Sequence, residues 1–319
     1  MEYPLVTAIM LSYNQAGFAV ECLESIKAQN YPNLELIVND DASRDDSVAV
    51  IRSWLDQSGL RHQLLVSDKN QGICRSMNRA LANAKGKYVA GIAADDAWLP
   101  GKLLGQVELM ERLPEKVAVA YSDALQMDEH GKTLPLKFIE AHRQFETPPQ
   151  GDIHRILWEG NFIPAMSTMV RRSAYQEIGP FDESLFYEDW DMWLRMSRDR
   201  DFAWYDQPTA RYRIVSTSIV RSQTGRLLDA MCQMCIKHLR QDLVRHEARH
   251  AAKSQLQQKA LLSFNCRSAR HRRNLLQTMR LAPSPRVAAR CAFACCGLGH
   301  GTFEQLRSLV LGSRAQAST

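Results

Sequence analysis

The chain has 319 residues, 45% of them hydrophobic and 24% charged, a balance that excludes collagen, a coiled-coil rod and wholesale disorder. No stretch reaches the roughly 18 uninterrupted apolar residues of a membrane-spanning helix. The N-terminal stretch MEYPLVTAIMLSYN shows no secretory signal, so a cytoplasmic protein is expected. The eight Cys are sparse and irregularly spaced, which fits free thiols in a reducing compartment. Charge is polarised along the chain. Residues 221–319 carry 17 Lys+Arg against 4 Asp+Glu, and residues 1–220 carry 23 against 31. Two parts with different partners are expected: an acidic part suited to a cation and a basic part suited to an anionic surface.

The first 125 residues alternate strand and helix signals. Val6–Leu11 is a short apolar run that ends in the polar loop Ser12-Tyr13-Asn14. Val20, Leu23 and Ile26 then recur at helical spacing. Leu34–Val38 reads as the second strand and runs into Asn39-Asp40-Asp41-Ala42; Ser43 and Asp46 have the spacing of a capping box for a helix through Leu55. His62–Val66 is a third strand, and Gly72–Ala84 a helix with Ile73, Met77, Ala80 and Leu81 on one face. Tyr88–Ala94 is a fourth strand, apolar almost throughout, as expected in the middle of a parallel sheet. Gly101–Leu113 reads as a helix and Val117–Tyr121 as a strand. Residues 126–150 read as loop with a hairpin turn at Asp128–Lys132, and residues 158–170 mix turn and strand signals. Glu188–Arg198 reads as a helix, and Asp201–Tyr205 and Arg211–Val215 as short strands. Residues 221–280 are helical and basic, and Pro283-Ser284-Pro285 separates them from the apolar stretch Val287–Leu298.

Short loops joining strand, helix and strand imply βαβ units and a mostly parallel sheet with helices on both faces. Ligands of such sheets bind at the carboxyl ends of the strands. Ser12–Asn14, Asn39–Asp41 and Asp95-Asp96 all follow predicted strands, so they should converge on one edge. Two carboxylate pairs at one edge repel each other unless a cation or hydrogen-bond donors intervene. Oxygen ligands select Mg²⁺ or Mn²⁺, and such sites are commonly completed by substrate phosphates. Asn70-Gln71-Gly72, opening a helix that carries Arg75 and Asn78, offers backbone N–H groups and a guanidinium to an anion; the alternative is a turn with solvated helix positions. Glu188-Asp189-Trp190-Asp191 opens a later helix. It reads either as dipole complementarity or as a general base beside an aromatic platform.

Taken together, Val6–Asn14, the run Val38-Asn39-Asp40-Asp41-Ala42-Ser43, Asn70-x-Gly72 with Asn78, Gly86-Lys87-Tyr88, Ala94-Asp95-Asp96-Ala97-Trp98 and Glu188–Arg195 resemble the family 2 inverting glycosyltransferases. The resemblance covers roughly residues 4–220 and implies the GT-A fold, an α/β architecture, with 221–319 as a basic helical C-terminal extension. It implies that Asp40 and Asp41 recognise the base and ribose of a nucleoside diphosphate sugar, UDP- or dTDP-linked, in a pocket lined by Ser12, Tyr13 and Asn14. It implies that Asp95 and Asp96 hold a divalent cation on the donor diphosphate, and that Asp189, in the pair Glu188-Asp189, is the catalytic base toward a glycan or lipid-linked acceptor. Of the aromatic residues, Trp190 is the one expected to touch substrate. Three positions depart from the family pattern. Ala93 stands where an additional Asp is common, which makes Asp95 the principal metal ligand. Val215 stands where a His often follows Tyr-Arg-x. Ala42 replaces a usual Gly, a mild change unless that backbone needs a positive φ.

Two readings compete with a transferase: a GT-A domain that binds a nucleotide or a partner without transfer, and a nucleotidyltransferase, whose usual Gly-rich basic loop is missing from Leu11–Gly17. Cys232-x-x-Cys235 with His238 has metal-like spacing but falls on one face of a helix, where a buried thiol stripe is expected. The cluster Arg267, Arg270, His271, Arg272 and Arg273 lacks the interleaved aromatics of nucleic-acid binding, so no nucleic acid is expected. With Val287–Leu298 nearby, it suggests peripheral contact with an anionic membrane; the alternatives are a solvated helix face or a helix-packing extension.

Overall fold

The computed structural model describes residues 3–186, 189–215 and 223–296, together with positions 300, 301, 303 and 305. Two compact units are present, one of residues 1–157, 161–184 and 188–216, the other of residues 158–160, 185–187 and 217–319.

The first unit opens with β1 (Val6–Ser12), α1 (Ala16–Lys27), β2 (Leu34–Asp40), α2 (Ser47–Ser58), β3 (His62–Val66), α3 (Ile73–Asn83) and β4 (Tyr88–Ala93). β1 pairs in parallel with β2 on one side and β4 on the other. Both faces of these strands are covered, which is why they read as unbroken apolar runs. Val6, Ala8 and Met10 of β1 face Leu23 and Ile26 of α1 and Ile51 of α2 in one core, while Ile9, Ile37 and Val89 face Ala80 of α3 in another.

The chain continues through β5 (Ala97–Trp98), α4 (Lys102–Arg112), β6 (Val117–Tyr121), β7 (Ala124–Met127), β8 (Thr133–Lys137), α5 (Phe138–His142), α6 (His154–Trp158), β9 (Met169–Arg171), α7 (Arg172–Ile178), α8 (Asp189–Met196), β10 (Asp201–Trp204) and β11 (Ala210–Arg213). The main sheet has the order β10-β6-β9-β4-β1-β2-β3. It is mixed: β9 runs antiparallel to both β4 and β6. A second sheet, β5-β11-β7-β8, forms from the segments after Asp96 and around the hairpin turn at Asp128–Lys132.

One local expectation needs correction. The capping box of Ser43 and Asp46 does not form. Ser43 instead donates from both its N–H and its hydroxyl to the Asp40 carboxylate, and α2 begins only at Ser47, whose N–H and hydroxyl donate to Asp45.

In the second unit, α9 (Thr224–Arg240), α10 (Arg249–Asn265), α11 (His271–Leu281) and α12 (Pro285–Cys295) pack on one another. Their core holds Leu228, Cys232, Cys235, Leu256, Phe264 and Leu275. Buried Asp229 accepts from Ser268 Oγ at 2.6 Å and Asn274 Nδ2 at 2.7 Å, which ties α9 to the start of α11. Cys232, Cys235 and His238 form the buried stripe that their spacing suggested, and burial pushes both thiols up, Cys235 to about 12. Among the described residues no cluster of three potential metal ligands occurs, and no helix is long and apolar enough to cross a membrane.

Candidate active site

The strand register brings the three polar clusters to one edge. Ser12 pairs with Asp40 at the ends of β1 and β2, and Leu11 pairs with Ala93 at the ends of β1 and β4. The Asp41 N–H donates to the Ser12 carbonyl at 3.0 Å, and the Ala94 N–H to the Leu11 carbonyl at 2.9 Å. Tyr13 is 40% exposed at this edge, and the hydroxyl of buried Ser12 has no hydrogen-bond partner among the described residues.

Two loops of the edge lock each other. The Asn14 N–H donates to Ser43 Oγ at 2.8 Å, and Asn14 Oδ1 accepts from the Arg44 N–H at 2.8 Å. Asn14 has φ 54° and Ala42 has φ 63°. The left-handed conformation suits Asn but strains Ala, because Cβ crowds the backbone carbonyl. The substitution of Ala for the usual Gly therefore falls where a positive φ is needed.

Several predicted ligand contacts turn out to be internal. Asp40 is fully buried, and each of its oxygens accepts one hydrogen bond from Ser43, which shapes the loop. The Asp41 carboxylate accepts from the Gln71 N–H at 2.9 Å and the Gly72 N–H at 2.7 Å. The anion at the start of α3 is thus Asp41 itself. Arg75 Nε pairs with Glu183 at 2.8 Å. Asn78 accepts from the Phe181 N–H and donates to the Phe181 carbonyl, stapling that segment to α3. Asn70 remains exposed in its loop. Trp190 is 1% exposed and its indole N–H donates to the Leu157 carbonyl at 2.9 Å, which excludes it as an open sugar platform.

The Asp95-Asp96 pair stands at the end of β4, Asp95 half-buried and Asp96 buried. Burial holds the Asp95 carboxyl above the usual carboxylate range, against opposing hydrogen bonds from its own N–H and from Gln15 and the charge of Arg213. Asp96 is pushed up further, first by burial and then by the charge of Asp95. Two hard oxygen donors whose negative charge is disfavoured by burial, and for Asp96 also by the charge of Asp95, fit a divalent cation completed by phosphates and water. Arg213 frames the pair. Its N–H donates to Asp96 Oδ1 at 2.9 Å, its Nε to the Asp95 carbonyl at 2.8 Å, its Nη1 to the Glu129 carbonyl at 3.2 Å and its Nη2 to Glu21. Its guanidinium lies 4.7 Å from the centre of the Phe18 ring. The sequence motif around Tyr212-Arg213 carried this signal, but Arg213 was not foreseen as part of the site. Val215, in place of the frequent His, is buried.

Asp189 opens α8. Its Oδ1 accepts from the Trp190 N–H at 2.5 Å and its Oδ2 from Asn161 Nδ2 at 3.1 Å. Asn161 had no sequence signal. Glu188 lies outside the described residues.

The family model for "Glycosyl transferase family 2" matches residues 7–179, more than half of the chain. The chain belongs to glycosyl transferase family 2. It is 29% identical over 196 residues to "Uncharacterized glycosyltransferase RP339" of Rickettsia prowazekii, a match that covers 61% of this chain and 59% of that relative's length. It is 26% identical over 217 residues to "Amylovoran biosynthesis glycosyltransferase AmsB" of Erwinia amylovora, covering 66% of this chain and 70% of that relative. Among solved structures, the mannosyltransferase PcManGT from Pyrobaculum calidifontis, in complex with GDP-Man and Mn²⁺, superposes with a TM-score of 0.62 at 17% identity, covering 99% of this chain and 87% of that one. That likeness shows the GT-A-like α/β fold for this family 2 chain.

Proposed function

We propose that the chain is an inverting glycosyltransferase that moves a sugar from a nucleoside diphosphate sugar to an acceptor hydroxyl in the assembly of a surface polysaccharide or related glycan. The observation that carries this reading is the adjacent carboxylate pair Asp95-Asp96, half-buried and buried, set at the strand edge beside Ser12 and Tyr13 in a family 2 fold. The GDP-Man and Mn²⁺ bound by the mannosyltransferase, and the polysaccharide role in the name of the Erwinia relative, support the donor class, the cation and the pathway class.

In this reading the base stacks against exposed Tyr13, with Ser12 Oγ as a polar contact and the loop Asn70–Gly72, held by Asp41, as the wall. Asp95 is the principal cation ligand and buried Asp96 backs it. Neutralisation of the charge that builds on the leaving diphosphate is the chemistry a divalent cation supplies at such a site. Asp189 takes the proton from the acceptor hydroxyl. That oxygen forms a bond to the anomeric carbon as the bond to the diphosphate oxygen breaks and the electron pair leaves with the diphosphate. One base suffices for a single displacement, which inverts the anomeric centre.

Nucleotide release from UDP-, dTDP- and GDP-sugars tests the reading. It expects release with Mn²⁺ and an acceptor, and loss of release with a chelator. Donor binding without release from any of them would favour the non-catalytic alternative.

We also infer that α11 contacts an anionic membrane surface. Arg272, Leu276, Arg280 and Arg273 are all exposed, and at 100° per residue they fall within about 100° of the helix circumference. The apolar stretch from Val287 does not add a lipid-facing surface. Val287 and Ala294 are buried and Phe293 packs on Phe303 with ring centres 5.0 Å apart, so the large apolar side chains of α12 face inward and its exposed apolar residues are small, Ala288, Ala289 and Ala292. Positions 297–299 lie outside the described residues. The contact is therefore chiefly electrostatic.

A further inference from the structure

We infer that Asn161 is a positioning residue that aims the Asp189 carboxylate and keeps it ionised; this rests on the reading of Asp189 as the base. The amide orientation follows from its partners. The Ile163 N–H, 3.2 Å away, can only donate, so the atom facing it is Asn161 Oδ1. Nδ2 must then face Asp189 Oδ2, at 3.1 Å.

The segment that carries Asn161 is anchored by packing and hydrogen bonds. Phe162 and Ile163 are buried, and Phe162 packs edge-on against Tyr121 and Phe145 at 5.9 and 4.9 Å. Beyond them, the Ser167 N–H and hydroxyl both donate to the Pro164 carbonyl. The carbonyls of Met166, Ser167 and Thr168 accept from Trp98 Nε1 at 3.0 Å and from Lys102 Nζ at 2.9 and 3.1 Å. Trp98 lies on β5, directly after Asp95-Asp96. The segment is thus fixed against the element that follows the carboxylate pair, and Asn161 passes that fixed position on to the base.

The hydrogen bonds also act on charge. Asp189 accepts from the Trp190 N–H and from the Asn161 amide, and donors to a carboxylate favour its ionised form. An ionised carboxylate is the form that can take a proton from the acceptor. The titratable groups on the elements packed around α8 are His154 and Arg155 on α6, Arg172, Tyr175 and Glu177 on α7, and Asp201 on β10. His154 is hydrogen-bonded to Ser197 Oγ, Arg172 to the Gly86 carbonyl, Glu177 to Arg200, and Asp201 is paired with Lys116. On α8 itself, Asp191 pairs with Arg195 at 3.0 Å. Asn161 is the neutral donor toward Asp189, so replacing it changes hydrogen bonding without removing a charge.

The test is the pH dependence of kcat for Asn161→Ala, Asn161→Ser and Asn161→Asp, beside Asp189→Asn, with melting temperature and donor affinity measured on each. Losing the donor raises the proton affinity of Asp189, so the acid limb of the profile moves to higher pH. The expected displacement is about half a unit to one unit for Ala and more for Asp, which sets a second carboxylate opposite the first. At neutral pH kcat falls by about tenfold in the Ala variant while donor affinity holds. A role limited to folding would lower the melting temperature and leave the limb in place. If Asp189→Asn is inactive and the limbs of all folded Asn161 variants superimpose on the wild type, the inference about Asn161 is wrong and the assignment of the base stands. Wild-type turnover by Asp189→Asn overturns both.

Discussion

Arg213 holds Asp96 by its backbone and Asp95 by its side chain: the Arg213 N–H donates to Asp96 Oδ1 at 2.9 Å, and its Nε donates to the Asp95 carbonyl at 2.8 Å. The same guanidinium reaches Glu21 on α1 and the hairpin carbonyls of Asp128 and Glu129. One side chain therefore joins three elements around the carboxylate pair. Arg213→Ala keeps the backbone contact to Asp96 but removes the buried guanidinium and leaves the part-buried Asp95 carbonyl without its donor. Glu21 is 44% exposed and rehydrates, so the expected cost is about 2–3 kcal/mol rather than the larger penalty of a fully buried orphaned charge. A displaced Asp95 should also lower kcat/KM by roughly ten- to a hundredfold. Denaturant melts and steady-state kinetics check both. Arg213→Lys should rescue little, since an ammonium cannot reproduce the fork.

Ala42 has a left-handed backbone with φ 63° between Asp41 and Ser43. A non-glycine residue there costs about 1–2 kcal/mol, part of which glycine returns as extra freedom in the unfolded chain. Ala42→Gly should therefore stabilise the protein by roughly 0.5–1 kcal/mol in urea unfolding. A loss of stability would show that the loop is not strained as described.

Lys102 is buried without a carboxylate partner among the described residues. Its Nζ is held by Gln106 Oε1 at 2.7 Å and the carbonyls of Ser167 and Thr168, with its nitrogen 5.4 Å from the centre of the Trp98 ring. Burial holds its pKa well below the ordinary lysine value. Lys102→Met fills the volume but leaves the Thr168 carbonyl and the buried Gln106 Oε1 without their donor, at an expected cost of about 1–3 kcal/mol. The sign of the pH dependence is fixed. Between the depressed folded pKa and the ordinary unfolded one, the unfolded chain binds the extra proton, so wild-type stability should rise relative to Lys102→Met as the pH climbs through that window. A stability difference between the two proteins that stays flat up to the ordinary lysine range would contradict the shift.

The α11 stripe makes a separate prediction. Each basic residue near an anionic leaflet contributes about 1 kcal/mol, so replacing Arg272, Arg273 and Arg280 together by Glu should weaken binding to anionic vesicles by at least a hundredfold at low salt. Neutral vesicles should bind neither protein, and raising the salt should release the wild type. Equal binding by both proteins at low salt would remove the membrane reading.

What the sequence made legible follows from range. β1, β2, β3, β4 and β6 were readable because each is a short run bounded by turn residues, and the common edge followed from parallel pairing alone. α6 and α7 were not readable, since five and seven residues hold too little periodicity. The antiparallel β9 is three residues long and takes its place only from its neighbours. The partners that define the site are remote in the chain: Arg213 and Asp96 lie 117 positions apart, and Asn161 and Asp189 lie 28 apart. Motif order placed Asp95 and Asp96 after a strand and Asp189 at a helix start, but it could not show that Ser43 and the Gln71 and Gly72 N–H groups donate to Asp40 and Asp41, or that Trp190 faces the core.

Turnover by Asp189→Asn, measured beside donor binding in the presence of Mn²⁺, tests the central claim most directly. Asn keeps the shape of Asp and can still accept from Asn161 or the Trp190 N–H, but it cannot take a proton. The expected result is a fall in kcat of about 10²–10⁴-fold with donor affinity unchanged and a small fall in melting temperature, since one of the two donors then faces an amide NH2. Turnover at the wild-type rate would contradict the assignment of Asp189 as the base.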